Sequence, residues 1–296
     1  MKQYLAIDIG GTAVKLGIVD ETGAVGPKAE ESVNFDGYQT PVLTTVLKAA
    51  KAFVETQNID VNTLEGVGVS ATGQIDSRKG IVAGTCGNFP NYINSPIQAE
   101  LERLFGLPVT VANDANCAAL AEYTFGGAQG DGLLRIVIGH GVGAGIVAAG
   151  ALMQGSENAA GEIGHVTIVD DRDGPDSPLG PAQLCACGRR GCLETVLSEP
   201  ALRKVITASD TPEPTLTAIG TRLGILLAPI VATLNISEVI VSGPDELLEG
   251  PLLSAADTTI RERTLPRSHR SLRVRLSTLG HDGPLQGAAV LVLSGR

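Results

Sequence analysis

Three cysteines and an upstream histidine are the sharpest chemical signal in the 296-residue chain. Cys185, Cys187 and Cys192 lie within eight residues of sequence, and the glycines between them allow a tight knuckle. With His165 they make a Cys₃His set, which is typical of tetrahedral zinc. Such a site has no open position for substrate, so we expect the zinc to be structural. The spacing Cys-x-Cys-Gly-x-x-Gly-Cys disfavours the alternative, three reduced cysteines without a metal.

Carboxylates stand where they could act on a hydroxyl group. Asp114 follows a predicted strand and opens a predicted helix, whose dipole favours the ionised form. An ionised carboxylate there could be the base for a hydroxyl nucleophile, although helix capping by Asn113 or Asp114 is the commoner explanation. Glu162 and Glu194 each lie within three residues of a candidate metal ligand. A shared metal would bring them together, either to bind sugar hydroxyls or as a solvated acidic rim.

Two glycine-rich turns are candidates for binding phosphate. The segments Asp8-Ile9-Gly10-Gly11-Thr12 and Gly139-His140-Gly141 each join two strand-like runs, which predicts two β-hairpins. The first turn lacks the Gly-Lys-Ser/Thr of a P-loop, and the strand after it excludes a dinucleotide fingerprint. It could still form an anion nest, with Asp8 holding Mg²⁺ through water and Thr12 and Lys15 near phosphate oxygens. On the turn alone, a plain hairpin with a surface lysine is slightly favoured.

The elements that must position these residues alternate as in an α/β protein. Apolar periodicity predicts helices over residues 41–53, 96–105, 115–123, 196–208 and 214–234, and strands over residues 67–70, 107–111 and 239–242. The two glycine turns form a weak internal repeat, which indicates two related halves. We expect a small domain of residues 1–113 plus about 281–296, and a larger domain of residues 114–280.

Composition limits the partners of the chain. The formal net charge is −10, which argues against nucleic acid and anionic membranes because both need clustered cations. Gly224, Pro229 and Asn235 break the apolar run over residues 223–236, and we expect this run to be too short for a bilayer. The first residues read as a strand, not as a signal peptide. Five cysteines then indicate a reducing cytoplasm.

Taken in chain order, these motifs resemble the ROK family of bacterial sugar kinases and sugar-responsive repressors. The resemblance rests on Asp8-Ile9-Gly10-Gly11-Thr12, Asn113-Asp114-Ala115-Asn116, Gly161-Glu162-Ile163-Gly164-His165 and the cysteine segment up to Glu194. The segments Val239-Ile240-Val241-Ser242-Gly243 and Leu279-Gly280-His281-Asp282-Gly283 continue it in family order. Each motif alone is weak, whereas the ordered set covers essentially the whole chain.

The resemblance implies a two-domain, actin-like (RNase H-like) ATPase fold that closes on ATP and a hexose. Asp114 would be the general base for the 6-hydroxyl of the sugar, and His165 would bind both sugar and zinc. The residues implied to bind the sugar are Gly73, Asn88, Asn113, Asp114, Glu162, His165 and Glu194. The residues implied to bind the nucleotide are Asp8, Gly10, Gly11, Thr12, Lys15, Gly139, His140, Gly141 and Gly243. The family also implies Mg²⁺ and a homodimer.

Departures from the family pattern concern the substrate more than the reaction class. His140 stands where the second phosphate turn usually has Thr, Thr72 replaces Pro in the sugar loop, and Pro244 removes one backbone N–H group. Glucose is the default substrate, with N-acetylmannosamine, N-acetylglucosamine or a β-glucoside as replacements. The alternative is a non-catalytic, sugar-binding or regulatory protein. We do not expect a DNA-binding repressor, because the turn that begins at Asp8 leaves no room for a preceding helix-turn-helix domain.

Overall fold

A computed structural model of the chain describes residues 1–34, 36–84, 91–170, 172 and 177–294. The chain divides into two compact units. Unit 1 consists of Met1–Gly127, Gln154–Ala160 and Leu279–Arg296, and unit 2 of Ala128–Met153 and Gly161–Thr278. Each unit has its own hydrophobic core and its own five-stranded sheet.

The sheet of unit 1 brings three strand ends to one edge. Its strands are β1 (Gln3–Ile9), β2 (Ala13–Asp20), β3 (Val25–Ser32), β4 (Leu64–Ala71) and β7 (Val109–Asn113), in the order β3-β2-β1-β4-β7. β5 (Gln74–Asp76) and β6 (Ile81–Gly84) form a separate ribbon. The antiparallel pair β1–β2 confirms the first predicted hairpin. β4 runs parallel to β1 and to β7, so Ile9, Ala71 and Asn113 end at the same edge.

The described residues of unit 1 form four α-helices. They are α1 (Val42–Thr56), α2 (Ile97–Phe105), α3 (Asp114–Phe125) and α9 (Gly283–Leu293). The division predicted at residue 113 differs from the observed one, because α3 packs against α9 and the sheet of unit 1. Gly287 makes this approach possible: a Cβ atom there would overlap the carbonyl of Cys117 on α3.

Unit 2 repeats the plan of three antiparallel strands followed by parallel ones. Its strands are β8 (Leu133–Ile138), β9 (Val142–Ala148), β10 (Ala151–Leu152), β11 (Glu238–Ser242) and β12 (Arg273–Leu276), in the order β10-β9-β8-β11-β12. Its helices are α4 (Glu194–Leu197), α5 (Glu199–Ala208), α6 (Glu213–Leu234), α7 (Asp245–Leu248) and α8 (Pro251–Arg263). The pair β8–β9 confirms the second predicted hairpin.

The helices of unit 2 differ from prediction at one place. The helix predicted over residues 196–208 is divided into α4 and α5, because Ser198 is extended and Pro200 lies in the first turn of α5, where proline is tolerated. The helix predicted over residues 214–234 is confirmed by α6, which continues through Gly224 and Pro229. Packing against α8 holds it: Gly224 lies directly over α8, and Pro229 is on the exposed side.

The apolar segment that was expected to be too short for a bilayer lies in α6. By length and composition α6 is long and apolar enough to cross a membrane, and it alone among the described helices meets that test. The hydrophobicity has another explanation in the fold. Leu216, Leu223, Leu227 and Val231 on one side of α6 are buried in the core of unit 2.

Candidate active site

Asp8 is buried near the end of β1 and has a specific partner. The Ser70 hydroxyl donates to Asp8 Oδ1 at 2.7 Å, because the parallel register of β1 and β4 sets the two residues side by side. Burial raises the pKa of Asp8, against the hydrogen bond from Ser70 and the charge of Lys15 on β2. The sequence did not indicate the Ser70 contact, since it depends on which strands pair.

The first glycine turn is held from within and from outside. The Gly10 N–H group donates to the Ala13 carbonyl at 2.9 Å, which closes the turn between β1 and β2. The Tyr38 hydroxyl donates to the Gly11 carbonyl at 2.6 Å. Thr12 is exposed at the tip of the turn, where its side chain is accessible to a ligand. No motif indicated Tyr38, which lies in a segment without regular structure.

Asn113 connects the start of α3 to the loop after β4. Its Oδ1 accepts hydrogen bonds from the N–H groups of Ala115 at 2.9 Å and Asn116 at 3.3 Å, so Asn113, not Asp114, is the N-cap. Its Nδ2 donates to the Gly73 carbonyl at 2.9 Å. Gly73 has φ +94°, a conformation that favours glycine. One side chain thus fixes the positions of both Asp114 and the loop.

Asp114 is the first residue of α3 and is partly exposed. Its Oδ1 accepts the N–H group of Ala115 at 2.8 Å, which favours the ionised carboxylate together with the helix dipole. Two buried side chains, Tyr92 and Cys117, experience the charges of both Asp8 and Asp114. Burial and these two charges raise the pKa of each side chain and keep it protonated at neutral pH.

In unit 2, the four predicted metal ligands lie close together. One ligand atom from each of His165, Cys185, Cys187 and Cys192 lies within 4.8 Å of all the others. Cys185 Sγ is 3.5 Å from His165 Nδ1, and the sulfur atoms of Cys187 and Cys192 are 3.6 Å apart. Three soft thiol donors with one imidazole fit zinc. Nδ1 is thus the ring nitrogen of His165 that faces Cys185.

The glycines of the knuckle are needed for its shape. Gly188 has φ +86° and Gly191 φ +72°. The Cys185 N–H group donates to the Arg189 carbonyl at 2.8 Å, and the Gly188 N–H group donates to the Cys185 carbonyl at 2.9 Å. A Cβ atom on Gly191 would overlap the carbonyl of Val169. The Cys-x-Cys-Gly-x-x-Gly-Cys spacing therefore encodes the fold of this loop.

Glu162 and Glu194 lie next to this ligand set. Burial raises the pKa of Glu162; the charge of His165 opposes this shift and that of Glu194 adds to it. The three side chains therefore share one region of unit 2. Glu194 Oε1 is 3.6 Å from Cys185 Sγ, while its Oε2 accepts the Val142 N–H group at 3.0 Å. Glu194 thus touches both the knuckle and the second glycine turn.

The second glycine turn lies at the carboxyl edge of the parallel strands of unit 2. The Gly139 N–H group donates to the Gly141 carbonyl at 3.0 Å, and His140 is exposed at the tip. Gly243 follows β11, which runs parallel to β8 and so ends at the same edge. A Cβ atom on Gly243 would lie 2.9 Å from the Ile138 carbonyl, which leaves little room for a side chain.

The predicted sugar ligand Asn88 lies outside the described residues. Within the described part of the chain, the structure brings together Asn113, Asp114 and Gly73 in unit 1. In unit 2 it brings together Glu162, His165, Glu194 and the second glycine turn.

Two mixed α/β units, each with a glycine turn after an early strand, fit the actin-like ATPase class. The ROK family profile matches residues 4–294, and the chain belongs to this family.

Individual relatives include both enzymes and regulators. A glucokinase of Halalkalibacterium halodurans is 28% identical over 322 aligned positions, which cover 98% of this chain and 94% of that protein. A ROK glucokinase from Streptomyces griseus, solved with glucose and AMPPNP, is 25% identical with a TM-score of 0.74, covering 99% of this chain and 100% of that one. A ROK transcriptional regulator, a homologue of the E. coli MLC protein, is 26% identical with a TM-score of 0.82, covering 99% of this chain and 78% of that one.

Proposed function

We propose that the chain is a sugar kinase that transfers a phosphoryl group from ATP to the 6-hydroxyl of a hexose, with glucose as the default substrate. The observation that carries the proposal is Asp114, a partly exposed carboxylate at the first residue of α3 and at the carboxyl edge of the parallel strands. In open α/β sheets, this edge is where ligands bind. The similarity to glucokinases over almost the whole chain supports the same reaction.

Asp114 is the general base in this proposal. The Ala115 N–H group and the helix dipole favour its ionised form, so that it can accept the proton of the 6-hydroxyl. The oxygen then attacks the γ-phosphorus of ATP while the bond to the β,γ-bridging oxygen breaks, and ADP leaves. Phosphoryl transfer depends mainly on positioning and on charge stabilisation. Asn113 supplies the positioning here, since it fixes both the start of α3 and the Gly73 loop.

The residues proposed for the remaining hydroxyls of the sugar are Glu162, His165 and Glu194. Glu162 and Glu194 are acceptors, and His165 presents Nε2 because its Nδ1 faces the cysteines. A site built from such groups discriminates strongly between a hydroxyl and an acetamido group. N-acetylmannosamine, N-acetylglucosamine and a β-glucoside are therefore tested beside glucose.

The two glycine turns would bind the phosphates of ATP through backbone N–H groups, with Lys15 and Thr12 near their oxygens. Mg²⁺ prefers oxygen ligands, and the carboxylate of Asp8 at the first turn is such a ligand. Asp8 would hold the ion, which supplies charge neutralisation for the phosphates when bound. Zinc fits the Cys₃His set and would be held by His165, Cys185, Cys187 and Cys192. It would be structural, since all four positions are taken by the protein.

The variant Asp114→Asn tests the base directly. It removes the proton acceptor and keeps the size of the side chain, so we expect turnover to fall at least about 100-fold while glucose binding by calorimetry is retained. Asp131→Asn, which removes an exposed carboxylate of unit 2, is the control for loss of one charge. Full turnover in Asp114→Asn would contradict the assignment of the base.

The second candidate function is sugar binding without catalysis, which the similarity to a ROK regulator favours. In that case sugar would bind wild-type protein and no ADP would form. A cytoplasmic homodimer is the assembly that membership of the family implies for either function.

A further inference from the structure

The second glycine turn is fixed by the segment that follows the last cysteine of the knuckle. The carbonyl of Gly139 accepts the N–H group of Glu199 at 2.8 Å, at the start of α5. On the other side of the turn, the N–H group of Val142 donates to Glu194 Oε2 at 3.0 Å. Residues 194–199 therefore hold both ends of the turn.

Gly141 leaves space for the carboxylate of Glu194 beside the turn. A Cβ atom at this position would lie 2.6 Å from Glu194 Oε2, closer than real Cβ atoms approach an oxygen. The absence of a side chain at Gly141 thus lets the carboxylate reach the backbone of the turn. A side chain at position 141 would displace this carboxylate, so glycine there favours the contact between Glu194 and the turn.

The other oxygen of the same carboxylate faces the knuckle. Glu194 Oε1 lies 3.6 Å from Cys185 Sγ, and Glu194 follows the ligand Cys192 by two residues. The intervening residue is also anchored, because the Leu193 N–H group donates to the Val166 carbonyl at 2.9 Å, next to the ligand His165. The position of Glu194 is therefore determined by the loop that the four ligands close.

Residues 161–164, just before His165, also lie against β9, directly after the turn. Cβ atoms on Gly161 and Gly164 would overlap the carbonyls of Ala144 and Val142, respectively. The Ala144 N–H group also donates to the Gly161 carbonyl at 3.1 Å. The hairpin that carries the turn is thus packed against residues on both sides of the ligand set in sequence.

We infer that the Cys₃His centre sets the affinity for nucleotide, with Glu194 as the positioning residue that transmits its geometry to the glycine turn. This inference rests on the proposed function, in which the turn binds ATP phosphates. It adds a role to Glu194, whose carboxylate holds the backbone of the phosphate turn in addition to facing the sugar.

The test compares two variants of Glu194 by direct binding of MgAMPPNP. Glu194→Ala removes the acceptor for Val142, so we expect binding to weaken about tenfold. Glu194→Gln keeps an oxygen acceptor at the same distance, and we expect affinity within about twofold of wild type. Glu262→Gln on the exposed side of α8 is the control for loss of one charge. Equal affinity of the Ala variant and wild type would overturn the inference.

Metal removal tests whether the Cys₃His centre itself controls the glycine turn. In metal-free wild type, we expect the same loss of affinity and faster amide exchange over residues 139–142, while the β11 amides stay protected. In Glu194→Ala, metal removal should lower the affinity for nucleotide little further, because both changes act on the turn through Glu194. Exchange that stays unchanged at the turn, or that rises throughout unit 2, would overturn the coupling.

These readouts separate the inference from the proposed function. If wild-type protein bound no nucleotide, the proposed function would fail, and amide exchange at Val142 would still decide whether Glu194 holds the turn.

Discussion

Asn113 uses both ends of its side-chain amide at the candidate active site. The oxygen caps α3, and the nitrogen donates to the carbonyl of Gly73. Loss of a capping side chain costs about 1 kcal/mol of stability. Loss of the bond to Gly73 would instead release the loop that faces the sugar in the proposed function. The two roles can be separated by substitution.

The variants Asn113→Ala and Asn113→Ser separate the capping of α3 from the contact with Gly73. Alanine removes the cap, so we expect the free energy of unfolding to fall by about 1 kcal/mol, whereas serine is a good cap and should leave it within about 0.5 kcal/mol. Neither side chain reaches Gly73, so both should raise the KM for sugar by about tenfold. Denaturant unfolding and steady-state kinetics measure the two effects. A serine variant with a normal KM would show that the contact with Gly73 does not position the loop.

The sequence predicted residues whose role depends on local geometry. The cysteine knuckle is one, since its spacing and glycines define a tight loop; the capping position before α3 is another. Contacts that depend on strand register were not predictable. Ser70 meets Asp8 only because β4 lies parallel to β1, and Tyr92 lies near two carboxylates that are distant in sequence.

At the scale of elements, the sheet of unit 1 and α9 meet backbone to backbone. A Cβ atom on Gly68 of β4 would overlap the carbonyl of Ala288 on α9. This close approach packs α9 over the strands whose ends carry Asp8 and Gly73. Backbone atoms cannot move aside as a flexible side chain can, so a substitution must displace the helix.

Gly68→Ala should therefore lower the free energy of unfolding by about 3 kcal/mol or more. The matched control is Gly26→Ala on β3, where the new Cβ atom would be 3.6 Å from the Ile18 carbonyl, an ordinary contact. We expect the control to remain within about 0.5 kcal/mol of wild type. Denaturant unfolding of the two variants measures the difference. Equal stability of Gly68→Ala and Gly26→Ala would contradict the close packing.

Elements were predicted where periodicity and turns are strong, as in both hairpins and in α1, α2 and α6. How these elements pack against one another was harder to predict from the sequence. The partner of α3 could not be inferred, because it packs against α9 from the far end of the chain. α6 continues through Gly224 and Pro229 because packing against α8 outweighs the local preference of these residues.

For the molecule as a whole, the knuckle is the feature on which the stability of unit 2 should depend. Between His165 and Cys192, the described residues have little regular structure and are held by turns and by the four clustered ligands. In such segments, the free energy of metal binding contributes to folding. A bound zinc would thus add to the stability of this segment.

We expect purified protein to contain one zinc per chain, and its removal to lower the melting temperature by about 10 °C. Zinc should restore the transition, and Mg²⁺ should not, because thiol ligands select the softer ion. Elemental analysis and calorimetry before and after chelation test this. Metal-free protein that melts at the original temperature would contradict a structural role for the Cys₃His centre.

The most direct test of the proposed function is sugar-dependent release of ADP from MgATP. The panel contains glucose, mannose, allose, fructose, N-acetylglucosamine, N-acetylmannosamine and cellobiose, assayed with protein of known zinc content. We predict turnover with at least one sugar, glucose first, and its loss in Asp114→Asn. Sugar binding without ADP release across the whole panel would contradict the kinase and favour the non-catalytic alternative.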